Sequence, residues 1–343
     1  MRMRVAARAR AGTAPVTRMR AGLWVIAALL VMVFYPAVAS SYGVFLMASA
    51  MTYGLLAMSL DLQWGYAGLI NFGPAAYFGL GAYGYALLSN DVSGFGSAWA
   101  AVPAAVVITA AFAVLISYPA FRGRALPLYY ALLTLAVALL LGEYATIADG
   151  LTGGSDGLVG IPPLNLSIDG LFTFTALSYS QAFYVVLATT AIGFALLLWV
   201  VSGPFGRAVR AIRADEDKCE SLGYSAPRYK LIMAALGGAI GGLAGALYAG
   251  VNGQVDPSVF SVTLGLQAFV WVAIGGQGTL WGPLLAAVGL QLAESYFSSI
   301  TTDLYLIIIA AIFVVAVIVL PDGVAGWLRR VMRRPVATHG GGA

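Results

Sequence analysis

The chain has 343 residues, of which 61% are hydrophobic and 9% charged, with a formal net charge of +4; a soluble domain carries about 25% charged residues. That composition excludes an ordinary soluble fold and defines a membrane protein. Hydrocarbon offers backbone amides no partner, so the spanning elements have to be helices or a closed barrel, and unbroken runs such as "GLWVIAALLVMVFY" and "YLIIIAAIFVVAVIVL" favour helices over alternating barrel strands.

In chain order, a basic tail (1–21) precedes an apolar run at 22–40. Arginines, an apolar stretch and "AVAS" at Ala37–Ser40 also fit a cleaved signal peptide, whose removal would take away one helix without changing the sidedness of the rest. Further apolar stretches of about 20 residues fall at 43–60, 69–89, 98–118, 126–147, 181–201, 231–251, 263–276, 279–294 and 303–320, before a second basic tail at 321–343. About ten helices are expected within 22–320. The second, third, eighth and ninth are interrupted by Gly and Pro, so each reads as a clean crossing or as a broken or re-entrant helix.

Cytoplasmic loops collect Lys and Arg. All 18 such residues fall in four groups: six within 2–20, Arg122 with Arg124, six between Arg207 and Lys230, and Arg329, Arg330, Arg333 and Arg334. Even numbers of expected spans separate the groups, so every group can occupy the cytoplasmic side, both termini included. The remaining loops carry acids and no bases; the largest, 148–180 with Asp149, Asp156 and Asp169, is expected outside. The spans then divide into two five-helix halves of opposite orientation, as in an inverted-repeat transporter.

Chemistry-bearing motifs are sparse. "GLGAYG" with Gly79, Gly81 and Gly84 fits GxGxxG only formally, because no strand or βαβ unit surrounds it. The only lysines, Lys218 and Lys230, follow no glycine-rich phosphate loop, so the chain is not expected to hydrolyse ATP itself. His339 stands alone in a Gly-rich tail, and Cys219 reads as a reduced cytosolic thiol; neither suggests a metal or a cofactor. Asp61, Glu143 and Glu294 fall toward the ends of their spans, where a carboxylate is expected to reach headgroups or water.

Glycine is more informative. Gly237, Gly241, Gly245 and Ala249 recur every four residues and make one smooth helix face, as close helix packing requires. "QWGYAGLINFGPAAYFGLGAY" (63–83) and "AIGGQGTLWGPLLA" (273–286) instead set Gly and Pro beside Gln63, Asn71 or Gln277. Such breaks expose backbone groups at membrane depth, where they suit either a tight turn or a transport path.

Residues 202–230 follow a helix stop at Ser202, Gly203 and Pro204 and hold ten charged side chains of both signs. Val209, Ile212, Cys219 and Leu222 are apolar among them, which predicts a short amphipathic helix from Arg207 with Gly223 as its stop. Mixed charge suits a protein partner better than lipid headgroups.

Four stretches then resemble the LivM-type permease subunits of ABC importers for branched-chain amino acids: "GYAGLINFGPAAYFGLGAY" (65–83), "LTGGSDGLVGIP" (151–162), "GRAVRAIRADEDKCESLGYSAPRYKL" (206–231) leading into "GGLAGALYA", and "GGQGTLWGPLLAA" (275–287). "LPDGVAGW" (320–327) also fits, so the likeness runs in order from about residue 40 to 327. Members commonly carry histidine where this chain has Pro74. The resemblance implies an all-α multi-pass permease of the bacterial cytoplasmic (inner) membrane, with 148–180 periplasmic and 202–230 the cytoplasmic coupling loop. Gly206, Arg207, Arg210, Arg213, Glu220 and Gly223 would form the segment that docks on an ATPase subunit. The implied partners are a second homologous permease, two ATP-binding subunits, a periplasmic amino-acid-binding protein and membrane lipid, with no nucleic acid and no cofactor. Gln63, Asn71, Gly73, Gln267 and Gln277 are the candidate translocation-path residues. Urea or short amides as cargo, an ion-coupled secondary transporter, and a membrane scaffold or receptor remain alternatives.

Overall fold

The computed structural model describes residues 32–89, 98–123, 126–164 and 178–300, together with Gly323, Val324 and Gly326. Most of the expected first span, the tenth span, Asp169, Arg124, His339 and nearly all of both tails lie outside the described residues. A 3-10 segment, Met32–Ala37, leads to α1 (Ser41–Leu60), which continues without a break as a wider π-helical stretch, Asp61–Ala67. There follow α2 (Pro74–Ser89), α3 (Ala98–Arg122), α4 (Pro127–Ile147), α5 (Tyr179–Ser202), α6 (Pro204–Ala214), α7 (Glu216–Ser221), α8 (Ala226–Asn252), α9 (Val262–Gly275) and α10 (Trp281–Ile300).

Local chemistry sets these limits. Ser40 and Ser261 accept the Gly43 and Leu264 amides and cap α1 and α9. Ser178 and Gln181 form a reciprocal capping box on α5. Pro127 and Pro204 start α4 and α6, where a missing N–H costs nothing, and Gly253 ends α8 in the left-handed conformation.

Among the described residues, five helical stretches are long and apolar enough to cross a membrane: Ser41–Ala67, Ala100–Arg122, Pro127–Ile147, Tyr179–Ser202 and Ala226–Asn252. The second and third expected spans are corrected in outline. The second runs on to Ala67, and the third does not begin at 69: residues 68–73 are non-helical and α2 opens only at Pro74. Its 16 residues extend about 24 Å, short of a hydrocarbon core of about 30 Å.

The fold is built around α1 and α8. In the most apolar window of α1 with its continuation, 78% of the residues are buried, against 28% for α3 or α4, which places α1 at the centre and the other two at the rim. The glycine face on α8 does what its spacing predicts. A Cβ at Gly245 would lie 1.8 Å from the Phe78 carbonyl oxygen of α2, and one at Gly241 3.0 Å from Tyr77. A second row, Gly238 and Gly242, receives Ala113 and Thr109 of α3. Without a hydrophobic effect between helices in lipid, such backbone proximity supplies the cohesion. The GxGxxG glycines are packing residues too: Gly81 meets the Gly242 backbone, Gly79 the Phe260 ring and Gly84 Ala105.

At one end of the bundle, two-residue strands β1 (Leu158–Val159) and β2 (Gln254–Val255) pair antiparallel, and Tyr85 Oη donates to the Pro162 and Pro163 carbonyls. The opposite end gathers the π-helical stretch, α6, α7, the α3–α4 turn and the α9–α10 turn.

Candidate functional site

The site is a node at this second end, where the two glycine-rich breaks and the charged segment meet. Asp61, expected to reach headgroups or water, is instead fully buried. Its Oδ1 accepts the Gly278 amide at 2.6 Å, and its Oδ2 accepts those of Thr279 at 3.1 Å and Leu280 at 2.9 Å. The reason lies at the start of α10. The residue at the cap position is Leu280, which has no side-chain acceptor, and the Thr279 hydroxyl is spent on the Gly276 carbonyl at 2.7 Å. The orphan amides therefore take an acceptor from another helix, and a carboxylate at a helix N-terminus is favoured by the macrodipole as well. The cost of burying the charge is reduced, though not cancelled, by three charge-assisted bonds and by the nearby Arg213 guanidinium.

Glycine makes the approach possible. A Cβ at Gly65 would fall 2.0 Å from Asp61 Oδ1 and 2.4 Å from the Gly278 nitrogen. The α9–α10 turn carries positive φ at Gly276 (101°), Gly278 (71°) and Leu280 (58°), the last a left-handed residue with a side chain. Gly323 packs on Gly276, so a Cβ there would meet the Gly276 backbone at 2.5 Å.

The charged segment reaches the node through Arg213. Its stem runs along Gly68, and its guanidinium donates to the Gly65 carbonyl oxygen. Arg210 donates to the Val201 carbonyl at 2.8 Å, and Gly206 lies so close to Val201 that a Cβ would stand 2.2 Å from that same oxygen. Both contacts fold α6 back against the end of α5. Arg207 is exposed, Glu220 is half-buried, and Gly223 has a φ of 89° with open space around it.

The expected single amphipathic helix is two. Asp215 adopts an extended conformation (φ −160°), ends α6 and caps α7 by accepting the Lys218 amide at 3.1 Å. The Lys218 hydrogen bonds hold the Asp215 carboxyl below the usual carboxylate range, and Asp215 raises Lys218 in turn. Val209, Ile212 and Cys219 are buried as the apolar pattern requires, but Leu222 is 77% exposed, because the chain turns away before it can join them. Lys230 pairs with Glu216 at 2.5 Å beside a cleft whose other wall includes Phe121 and Pro127. Glu143 is exposed and Glu294 half-buried.

Of the expected path residues, Gln63, Asn71 and Gly73 come together. Asn71 Nδ2 donates to Gln63 Oε1 at 2.9 Å, and the Gly73 amide donates to Asn71 Oδ1 at 2.8 Å. The Phe72 amide donates to Thr134 Oγ1 of α4 at 3.1 Å. Gln63 and Asn71 are fully buried, with Gly237 of α8 leaving room for the Gln63 amide, whose nitrogen has no hydrogen-bond partner among the described residues. Side chains and neighbouring helices thus satisfy the irregular backbone of 68–73 within the protein. Gln267, half-buried on α9, and Gln277, exposed in the α9–α10 turn, do not join this cluster.

Sequence reasoning missed Asp61 and Arg213 as a connected pair. The sequence carries no signal for it: "GQGTLWG" offers Thr279 as a cap for α10, and only the structure shows that hydroxyl engaged by the Gly276 carbonyl.

These features define a polytopic α-helical membrane protein in which interrupted helices are tied to a charged segment at one end. Residues 42–317 match the family described as "Branched-chain amino acid transport system / permease component", and the chain belongs to that family. It is 28% identical over 284 residues to the high-affinity branched-chain amino acid transport system permease protein LivM of Salmonella typhimurium and, equally, to LivM of Escherichia coli K12. Those matches take in 78% of this chain and 66% of each LivM protein, slightly less than two thirds of its length. LivH of Salmonella typhimurium is 23% identical over 277 residues, 77% of this chain and 88% of LivH. No solved structure matches the chain.

Proposed function

We propose that the chain is the membrane permease subunit of an ATP-driven importer that carries leucine, isoleucine and valine into the cytoplasm by alternating access. The observation that carries this reading is the family match across residues 42–317, joined by relatives named as permeases of branched-chain amino acid transport systems. In this reading ten helices cross the inner membrane in two five-helix halves of opposite orientation, both termini are cytoplasmic, and 148–180 is periplasmic. The subunit works with a second homologous permease, two ATP-binding subunits that hydrolyse the nucleotide, and a periplasmic amino-acid-binding protein.

The fold supports this arrangement in one specific respect. Loops that the charge pattern assigns to the cytoplasm, those at 122–126 and 202–230, gather at one end of the bundle together with the α9–α10 turn, while 158–159, assigned outside, pairs with 254–255 at the other. Gly206, Arg207, Arg210, Arg213, Glu220 and Gly223 form the coupling surface, with exposed Leu222 and Tyr224 at its tip. Gln63, Asn71 and Gly73 hold the wall of the path from behind, and Gln267 and Gln277 offer polar groups nearer its surface. Nucleotide binding moves the coupling surface and switches the side to which the cavity opens.

Uptake of labelled leucine, isoleucine, valine and urea by proteoliposomes holding the full complex tests the reading. We expect ATP-dependent uptake of the three amino acids, abolished by Arg210→Glu with Glu220→Arg while assembly persists. Urea uptake alone would keep the architecture and replace the cargo; uptake that persists without the ATP-binding subunits would overturn the importer reading.

A further inference from the structure

We infer that Arg213 and Asp61 are positioning residues for transport, a two-link strut through which displacement of α6 reaches both helix breaks. The inference rests on the proposed importer function and adds to it the route inside the subunit. Arg213 is on the segment expected to touch the ATP-binding subunit, and its guanidinium grips the carbonyl of Gly65. Gly65 is packed on Asp61 and Gly278 so closely that not even a methyl group fits. Asp61 holds three successive amides of the α9–α10 turn. A shift of α6 therefore cannot stop at Gly65: close-packed atoms transmit displacement, and the turn is held by a carboxylate rather than by its own cap. The same shift acts on 68–73, because the stem of Arg213 lies against Gly68 and that stretch is fixed at its far end to Thr134. The turn holds Leu280, a residue with a side chain, at a φ of 58°, and its amide is bonded to the Asp61 carboxylate in that conformation.

The strut makes a claim that simple packing does not: its loss uncouples. In proteoliposomes with the full complex, leucine uptake and ATP hydrolysis are measured together for wild type, Arg213→Ala, Arg213→Lys and Gly65→Ala. For Arg213→Ala and Gly65→Ala we expect the leucine carried per ATP hydrolysed to fall by about tenfold, within the range of ordinary coupling energies. Arg213→Lys, which retains the stem and one donor, should recover a large part of the loss. A parallel fall of hydrolysis, uptake and assembled complex, or an unchanged ATP-to-leucine ratio, would overturn the strut. A second arm does not depend on cargo: amide exchange in the peptide covering 276–282, with and without ATP and vanadate. Nucleotide should change exchange there in wild type and not in Arg213→Ala; the same response in both sinks the inference. If wild type carries no leucine, the cargo reading fails, and the exchange arm still decides on the strut.

Discussion

The two glycine-rich breaks are alike in composition and differ in what holds them. Residues 61–73 are secured locally: Gln63, Asn71 and the Gly73 amide form a short chain of hydrogen bonds inside the protein, and α4 supplies one more. Residues 276–280 have local bonds as well, from the Gly276 amide to Val272 and from the Thr279 hydroxyl to the Gly276 carbonyl, but three successive amides of the turn are held by a carboxylate 217 residues away in the chain. A break secured by itself can act as a fixed wall. A break secured by a remote side chain is controlled by whatever moves that side chain.

Asp61→Ala should break this contrast most severely. It leaves the buried Thr279 and Leu280 amides and the partly buried Gly278 amide without an acceptor, at about 1–3 kcal/mol for each buried one, so a loss of about 2–6 kcal/mol is expected, read as a large drop in the thermal midpoint of the purified protein. Gly73→Ala attacks the first break by volume. Its Cβ would stand 2.1 Å from the Thr134 carbonyl oxygen, and overpacking of that kind costs about 1–3 kcal/mol. Gln277→Ala, at the exposed tip of the second break, is expected to change stability by less than about 0.5 kcal/mol in the same assay. The smallest effect concerns α7. A carboxyl held below its ordinary range stabilises the fold above its unfolded value and ceases to do so as pH falls through the folded one. Protection of the 216–221 amides, taken relative to their intrinsic exchange rate at each pH, should therefore be unchanged from pH 7 down to the ordinary Asp range near about 3.9, and fall only in stronger acid.

Wherever hydropathy and capping agree, the sequence is a reliable guide: 126–147 and 181–201 are helical within two residues of the expected limits, and Pro127 and Ser178 explain why. The glycine row of α8 is equally legible, because a spacing of four admits one helix face. The π-helical continuation to Ala67 is not, since nothing in "DLQWGYA" distinguishes a wide turn from the polar end of a span. The split of the charged segment at Asp215 was within reach: Asp there can cap a following helix as readily as extend the one before. Asp61 was hidden for a different reason. Its position near a span end fits solvation, and Thr279 reads as the cap of α10 until its hydroxyl is seen bonded to Gly276.

The 27 residues of α8 run from the charged segment to β2, about 40 Å without interruption. Such a rod has leverage. A tilt of about 5° at the Ala226 end carries the other end through about 3.5 Å, and β2 would draw β1 and the start of the 148–180 loop with it. The same tilt would move the backbone at Gly241 by about 2 Å, so the close glycine contacts of α8 would have to slide along with the reshaped rim.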